Sequence, residues 1–118
     1  MTPILAFDIE TVPDVNGIRL LYDLPASLPD DEVVLFAQQK RRAQNGSDFM
    51  QHHLHQVVAI SCCMRWGQDK IHVGTIGEMH DSEEEMIAKF FDLIESHTPQ
   101  LVSWNGGGFD LPVLHYRA

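Results

Sequence analysis

The run Phe7-Asp8-Ile9-Glu10-Thr11 places two carboxylates within a segment that otherwise reads as a buried β-strand, with Ile4, Leu5, Ala6, Phe7 and Ile9 as its apolar members. Residues i and i+2 of a strand project from one face. Asp8 and Glu10 therefore share a face, while Phe7 and Ile9 anchor the other. Two carboxylates so close on a core strand repel each other and resist desolvation unless a compensating charge is supplied. A divalent cation is the simplest source of that charge, which points to a hard-metal site and, from it, to phosphoryl chemistry. The plainer alternative is a strand end at which both acids merely meet solvent.

With 118 residues, 44% of them hydrophobic, the chain has material for one small domain with a real core. Its net charge of −9 counts against a non-specific nucleic-acid binder that lives on a global basic field. It does not exclude an enzyme that grips a strand end through metals and a few local contacts. Cys62 and Cys63 are adjacent, so on a strand they point to opposite faces and suggest neither a disulfide nor a Cys-x-x-Cys zinc site. Buried free thiols in a reducing compartment are expected. No targeting segment and no apolar run of membrane-spanning length is visible, which places the protein in the cytoplasm and off the membrane.

Residues 3–9 read as a first strand, followed by a turn-rich stretch from Pro13 to Pro29 with a short apolar piece at Ile18–Leu21. A helix is predicted from Pro29 to Gln44. Asp30, Asp31 and Glu32 sit at its positive end, Lys40-Arg41-Arg42 at its negative end, and Asn45-Gly46 stops it. The near-continuous apolar run 56–66 reads as a central strand, paired through the Gly67-Gln68-Asp69 turn with Lys70–Ile76 as an antiparallel hairpin. Ser82-Glu83-Glu84-Glu85 is a capping box. Ile87, Phe90, Phe91 and Ile94 recur at helical spacing behind it, so both phenylalanines are assigned to the core, and Pro99 closes the helix. Leu101–Trp104 reads as a short buried strand, and a glycine-rich turn leads into a last helix over Phe109–Arg117. The order predicts an α/β fold: a mixed sheet flanked by helices.

The second informative segment is Trp104-Asn105-Gly106-Gly107-Gly108-Phe109-Asp110. Three glycines let backbone approach another strand or a ligand closely. Asp110, at a helix entry beyond a strand, sits where α/β folds build sites, and it also serves as an N-cap for the helix containing Pro112. Phe-Asp-Ile-Glu-Thr, taken with Ser-Trp-Asn-Gly-Gly-Gly-Phe-Asp-Leu-Pro-Val-Leu, resembles the first two motifs of the DEDD superfamily of 3′–5′ exonucleases. The chain is most similar to the predicted exonucleases related to the proofreading domain of family B DNA polymerases. The likeness extends over nearly the whole chain, including Gly46-Ser47-Asp48-Phe49 and Val57-Val58-Ala59-Ile60-Ser61.

That resemblance implies a ribonuclease H-like sheet in which strands 1–3 are antiparallel and strand 4 runs parallel to strand 1, incomplete at its C-terminus. It implies that Asp8 bridges two Mg²⁺ or Mn²⁺ ions, Glu10 binds the one that activates water, and Asp110 is held near the second. Thr11 and Asn105 would contact the nucleic-acid end, and Phe109 would pack beneath the site. The substrate implied is a single-stranded or frayed 3′ end, DNA in preference to RNA. The superfamily also requires a third motif with a fourth acid, and nothing after Asp110 supplies it, since His115 and Tyr116 read as helix surface. Residues 1–118 are therefore expected to be the N-terminal part of an exonuclease domain, one ligand short and inactive alone. The alternative is a non-catalytic ribonuclease H-like module that binds nucleic acid or protein. His52, His53 and His55 lack a ligand partner at defined spacing and read as strand-edge histidines rather than a zinc site.

Overall fold

A computed structural model describes residues 2–104 and 106–118. In chain order its elements are β1 (Ile4–Pro13), α1 (Val15–Tyr22), α2 (Asp30–Asn45), β2 (His55–Trp66), β3 (Lys70–Thr75), α3 (Glu83–His97), β4 (Gln100–Val102) and α4 (Leu111–Arg117). They divide into two compact units, one comprising the residues up to Thr11 and from Val57 to Ala118, the other Val12–Gln56.

The first unit holds the sheet. Among the described residues it has four strands in the order β3-β2-β1-β4. β1 pairs with β4 in parallel, with Ile4 opposite Gln100, Leu5 opposite Leu101 and Ala6 opposite Val102. β2 and β3 form the expected antiparallel hairpin, from Ser61 opposite Thr75 to Trp66 opposite Lys70. This is the mixed ribonuclease H-like arrangement read from the sequence. Strand periodicity sorts β1 cleanly. Leu5, Phe7 and Ile9 are buried, whereas Asp8 and Glu10 are exposed. In β2 the buried positions Val57 and Ile60 are three apart, so the alternation slips by one residue between them before Met64 resumes it.

The buried face of the sheet packs against α3 and α4. Leu5, Phe7, Ile9, Val57, Ile60, Met64, Met86, Ile87, Phe90, Val113 and Leu114 form one continuous core. Ser82 caps α3 as predicted, its Oγ accepting from the Glu85 N–H at 3.1 Å. Phe90 is fully buried and meets Phe7 with ring centroids 5.0 Å apart. Phe91 corrects the sequence expectation: it is 37% exposed and lies edge-on to Phe90 at the margin of the core. Adjacent helical residues point about 100° apart, so the apolar stripe is too narrow to bury both. The cysteines also differ from expectation. Both are half-buried rather than buried, with Cys62 against the core and Cys63 on the open face of the sheet.

The second unit builds a separate core from Ile18, Val33, Ala37, Met50 and Leu54. Its α2 matches the predicted helix, and Gly46 at φ 80° closes it, the Gly46 N–H donating to Arg42 O at 2.8 Å. α1 replaces what the sequence suggested was a turn-rich stretch. Asn16-Gly17 reads as a turn, yet Asp14 caps a helix by accepting from the Gly17 N–H at 3.0 Å. A Cβ at Gly17 would fall 2.6 Å from Asp14 Oδ2, so any larger residue there would have to displace the capping carboxylate. Arg19 then ties the following loop down, donating to Pro25 O at 2.8 Å and Leu28 O at 2.7 Å and pairing with Asp30.

Candidate active site

β1 delivers Asp8 and Glu10 on the sheet face opposite the core, and both stand exposed. Asp8 lines an open hollow on that face together with Ala6, Ser61, Cys63, Val73 and Thr75. Thr11, next on the same strand, is half-buried. Asn105, expected to contact a nucleic-acid end, lies outside the described residues.

Asp110 arrives from the other end of the chain by a different route. Gly106–Asp110 forms one turn of π-helix that runs directly into α4. A turn that tight against the sheet depends on a missing side chain. A Cβ at Gly106 would sit 2.6 Å from Ser103 Oγ and 3.8 Å from Phe7, while one at Gly107 would meet nothing within 4 Å. Phe109 packs against the core, as expected of it. Asp110 occupies the N-cap position of α4 but makes no side-chain cap hydrogen bond. Its carboxylate is therefore available for something else.

Asp110 as a residue is 6% exposed. Burial, and after it the negative charge of Asp8, pushes the Asp110 carboxyl above the usual carboxylate range, with Glu10 adding a smaller push in the same direction. The backbone amides of Ile9 and of Asp110 itself pull the other way. The Ile9 amide lies between Asp8 and Glu10 in sequence, so the Asp110 carboxyl faces the strand that bears the other two acids.

The three acids thus sense one another but do not form a finished cage. Among the described residues no group of three or more His, Cys, Asp and Glu side chains stands close enough to hold a metal ion. The donor chemistry is nevertheless the one hard cations take: oxygen only, with two carboxylates free to turn on an open face. The histidines His52, His53 and His55 belong to the second unit.

The sequence reading missed the far end of α4. Arg117 Nε donates to both Glu83 carboxylate oxygens at 3.0 and 3.1 Å, and its Nη2 donates to Oε1 at 2.7 Å. Glu83 Oε2 also accepts the Val57 N–H at 2.5 Å. Both side chains of the pair are only 16% exposed. The signal available in the sequence was spacing: Arg117 lies seven residues beyond Asp110.

Residues 47–118 match the family model described as "Predicted 3'-5' exonuclease related to the exonuclease domain of PolB". The match contains Asp110 and lies beyond Asp8 and Glu10. DNA polymerase 1 of Sulfolobus acidocaldarius is 39% identical over 41 residues, 35% of this chain and 5% of that protein. DNA polymerase 1 of Sulfurisphaera ohwakuensis is 44% identical over 43 residues, 36% of this chain and 5% of that protein. The chain thus spans about a twentieth of these relatives' length. The solved family B DNA polymerase of the hyperthermophilic archaeon Pyrobaculum calidifontis superposes on the whole chain and 11% of its own, with a TM-score of 0.51 and 21% identity, a likeness of fold. The matched share, more than half of the residues, shows that the chain belongs to the family of predicted 3′–5′ exonucleases related to the exonuclease domain of PolB.

Proposed function

We propose that the protein hydrolyses phosphodiester bonds at nucleic-acid 3′ ends, with Asp8, Glu10 and Asp110 as the metal-binding catalytic acids and Thr11 and Asn105 as contacts to the strand end. One observation supports this most: a buried aspartate at a helix entry whose carboxyl is pushed up first by burial and then by the charge of Asp8, with a smaller push from Glu10. Mutual repulsion of that kind is relieved by cations, and Mg²⁺ or Mn²⁺ suits an all-oxygen donor set. A bound pair of such ions would supply charge to the attacking and leaving oxygens of an in-line displacement.

The chain's own part is to aim and to restrain. Asp8 and Glu10 reach up from a strand fixed by Leu5, Phe7 and Ile9 in the core. Asp110 approaches from a helix anchored by Val113 and Leu114. The open sheet face leaves room for a strand end beside Asp8. A single-stranded or frayed DNA end is the proposed substrate, and a reducing cytoplasm is the setting that suits the unpaired thiols.

In the full-length protein, Asp8→Ala or Glu10→Ala should lower Mg²⁺-dependent digestion of a 3′-labelled single strand by at least about 10²-fold, the scale of losing one charge-stabilising group. Retained digestion would remove the assignment. Three acids rather than four lead us to expect little or no turnover by residues 1–118 alone. The open placement of the acids and the net charge of −9 favour a second reading, a non-catalytic nucleic-acid or protein binding module. It is distinguished by 3′-end binding that survives both substitutions.

A further inference from the structure

Helix α4 carries a buried stripe with a polar residue at each end. Asp110, Val113, Leu114 and Arg117 fall at i, i+3, i+4 and i+7, and Asp110 already has helical backbone angles, φ −57° and ψ −52°. Seven residues at 3.6 per turn bring a side chain back to within about 20° of its starting azimuth, roughly 10 Å further along the axis. Val113 and Leu114, between them, are fully buried. Whatever fixes the azimuth of Arg117 therefore also fixes that of Asp110.

Arg117 is fixed unusually well. Its planar fork engages both oxygens of Glu83, a geometry that specifies orientation as well as distance. Glu83 opens α3, directly after the Ser82 cap, and also takes the N–H of Val57, the first residue of β2 within this unit. Three elements thus meet at one carboxylate. A largely buried ion pair is a weak source of net stability, because desolvation offsets its attraction. Setting a register is its better-attested use.

The geometry points to the Arg117–Glu83 pair as a positioning device for the active site: by locking the rotation and height of α4 at its C-terminal end, it holds Asp110 against β1 at the other. The inference rests on the nuclease reading for its functional meaning. The positioning itself has a metal-free reporter in the backbone amide of Ile9, which sits between the two β1 acids and is close enough to the Asp110 carboxyl to counter its raised pKa.

The test compares Arg117→Met, Arg117→Lys, Glu83→Gln and Asp110→Asn by two measurements on the whole chain. One is the Ile9 amide resonance without metal; the other is Mn²⁺ affinity by calorimetry. Arg117→Met should move the Ile9 resonance towards its position in Asp110→Asn, and Arg117→Lys, which keeps the charge but loses the fork, should move it part of the way. Mn²⁺ affinity should fall about tenfold in Arg117→Met, the scale of losing a supporting partner, and no further when Asp110→Asn is already present. An Ile9 resonance unmoved in folded Arg117→Met and Arg117→Lys would overturn the proposal, as would losses that simply add. Should Arg117→Met fail to fold, Arg117→Lys and Glu83→Gln carry the same comparison. Absence of Mn²⁺ binding by the unsubstituted full-length protein would sink the nuclease reading, while the Ile9 shift would still decide the positioning.

Discussion

Asp110 is the residue whose ionisation matters most to the bare fold. Its folded carboxyl binds a proton more tightly than in the unfolded chain, so the stability it lends is complete below the ordinary carboxylate pKa of about 4. That contribution is lost as pH rises through the raised folded value. Above its raised pKa and without divalent ions, the ionised side chain is a burden. Asp110→Asn should therefore raise the melting temperature in a chelating buffer on the alkaline side of that titration and weaken the fall of stability as pH rises above about 4. Added Mg²⁺ should stabilise the unsubstituted protein and leave the variant unchanged. The two β1 acids were legible because strand alternation is a local rule. The burial of Asp110 was not, since a glycine run states only that the backbone can approach something. Whether that something is Phe7, Ser103 or a ligand is settled by tertiary packing.

At the scale of elements, sequence and structure agree wherever one local signal dominates. The Ser82 cap, the Gly46 stop and the hairpin at Gly67 each have their own chemistry. They part company where local and tertiary preferences conflict. Asn16-Gly17 favours a turn by propensity, but Asp14 and the packing of Ile18 into its core carry α1 through it. Helical spacing treats Phe90 and Phe91 alike, yet the sheet accepts only one of them. Phe90→Ala should cost about 3–5 kcal/mol in urea unfolding, and Phe91→Ala under about 2 kcal/mol. Equal losses would mean that the two rings share the core after all.

Across the whole molecule, a mixed sheet flanked by helices followed from the order of elements, while the parallel pairing of β4 with β1 was legible only through the family resemblance. The partition into two units did not follow. β1 and β2 each run across the boundary between them, so neither composition nor a linker marks it. Exposure on the open sheet face is a property of the assembled molecule too: Ile71 is 63% and Val73 73% exposed, side by side on an edge strand. Such edges invite pairing between copies. Val73→Lys should lower self-association in sedimentation velocity at high protein concentration and leave the far-ultraviolet circular dichroism spectrum unchanged. No described helix is long and apolar enough to cross a membrane.

The bend before Asp110 has an uneven appetite for substitution. Position 106 is walled in by Ser103, whereas position 107 opens onto empty space. A library randomised at these two codons and selected for folded protein should favour glycine and other small residues at the first, where Ser103 must move to admit a side chain, and return a broad alphabet at the second. Adjacent, chemically identical residues would then prove to be under opposite constraint, and an alanine at 107 should even stiffen the denatured chain to the protein's advantage.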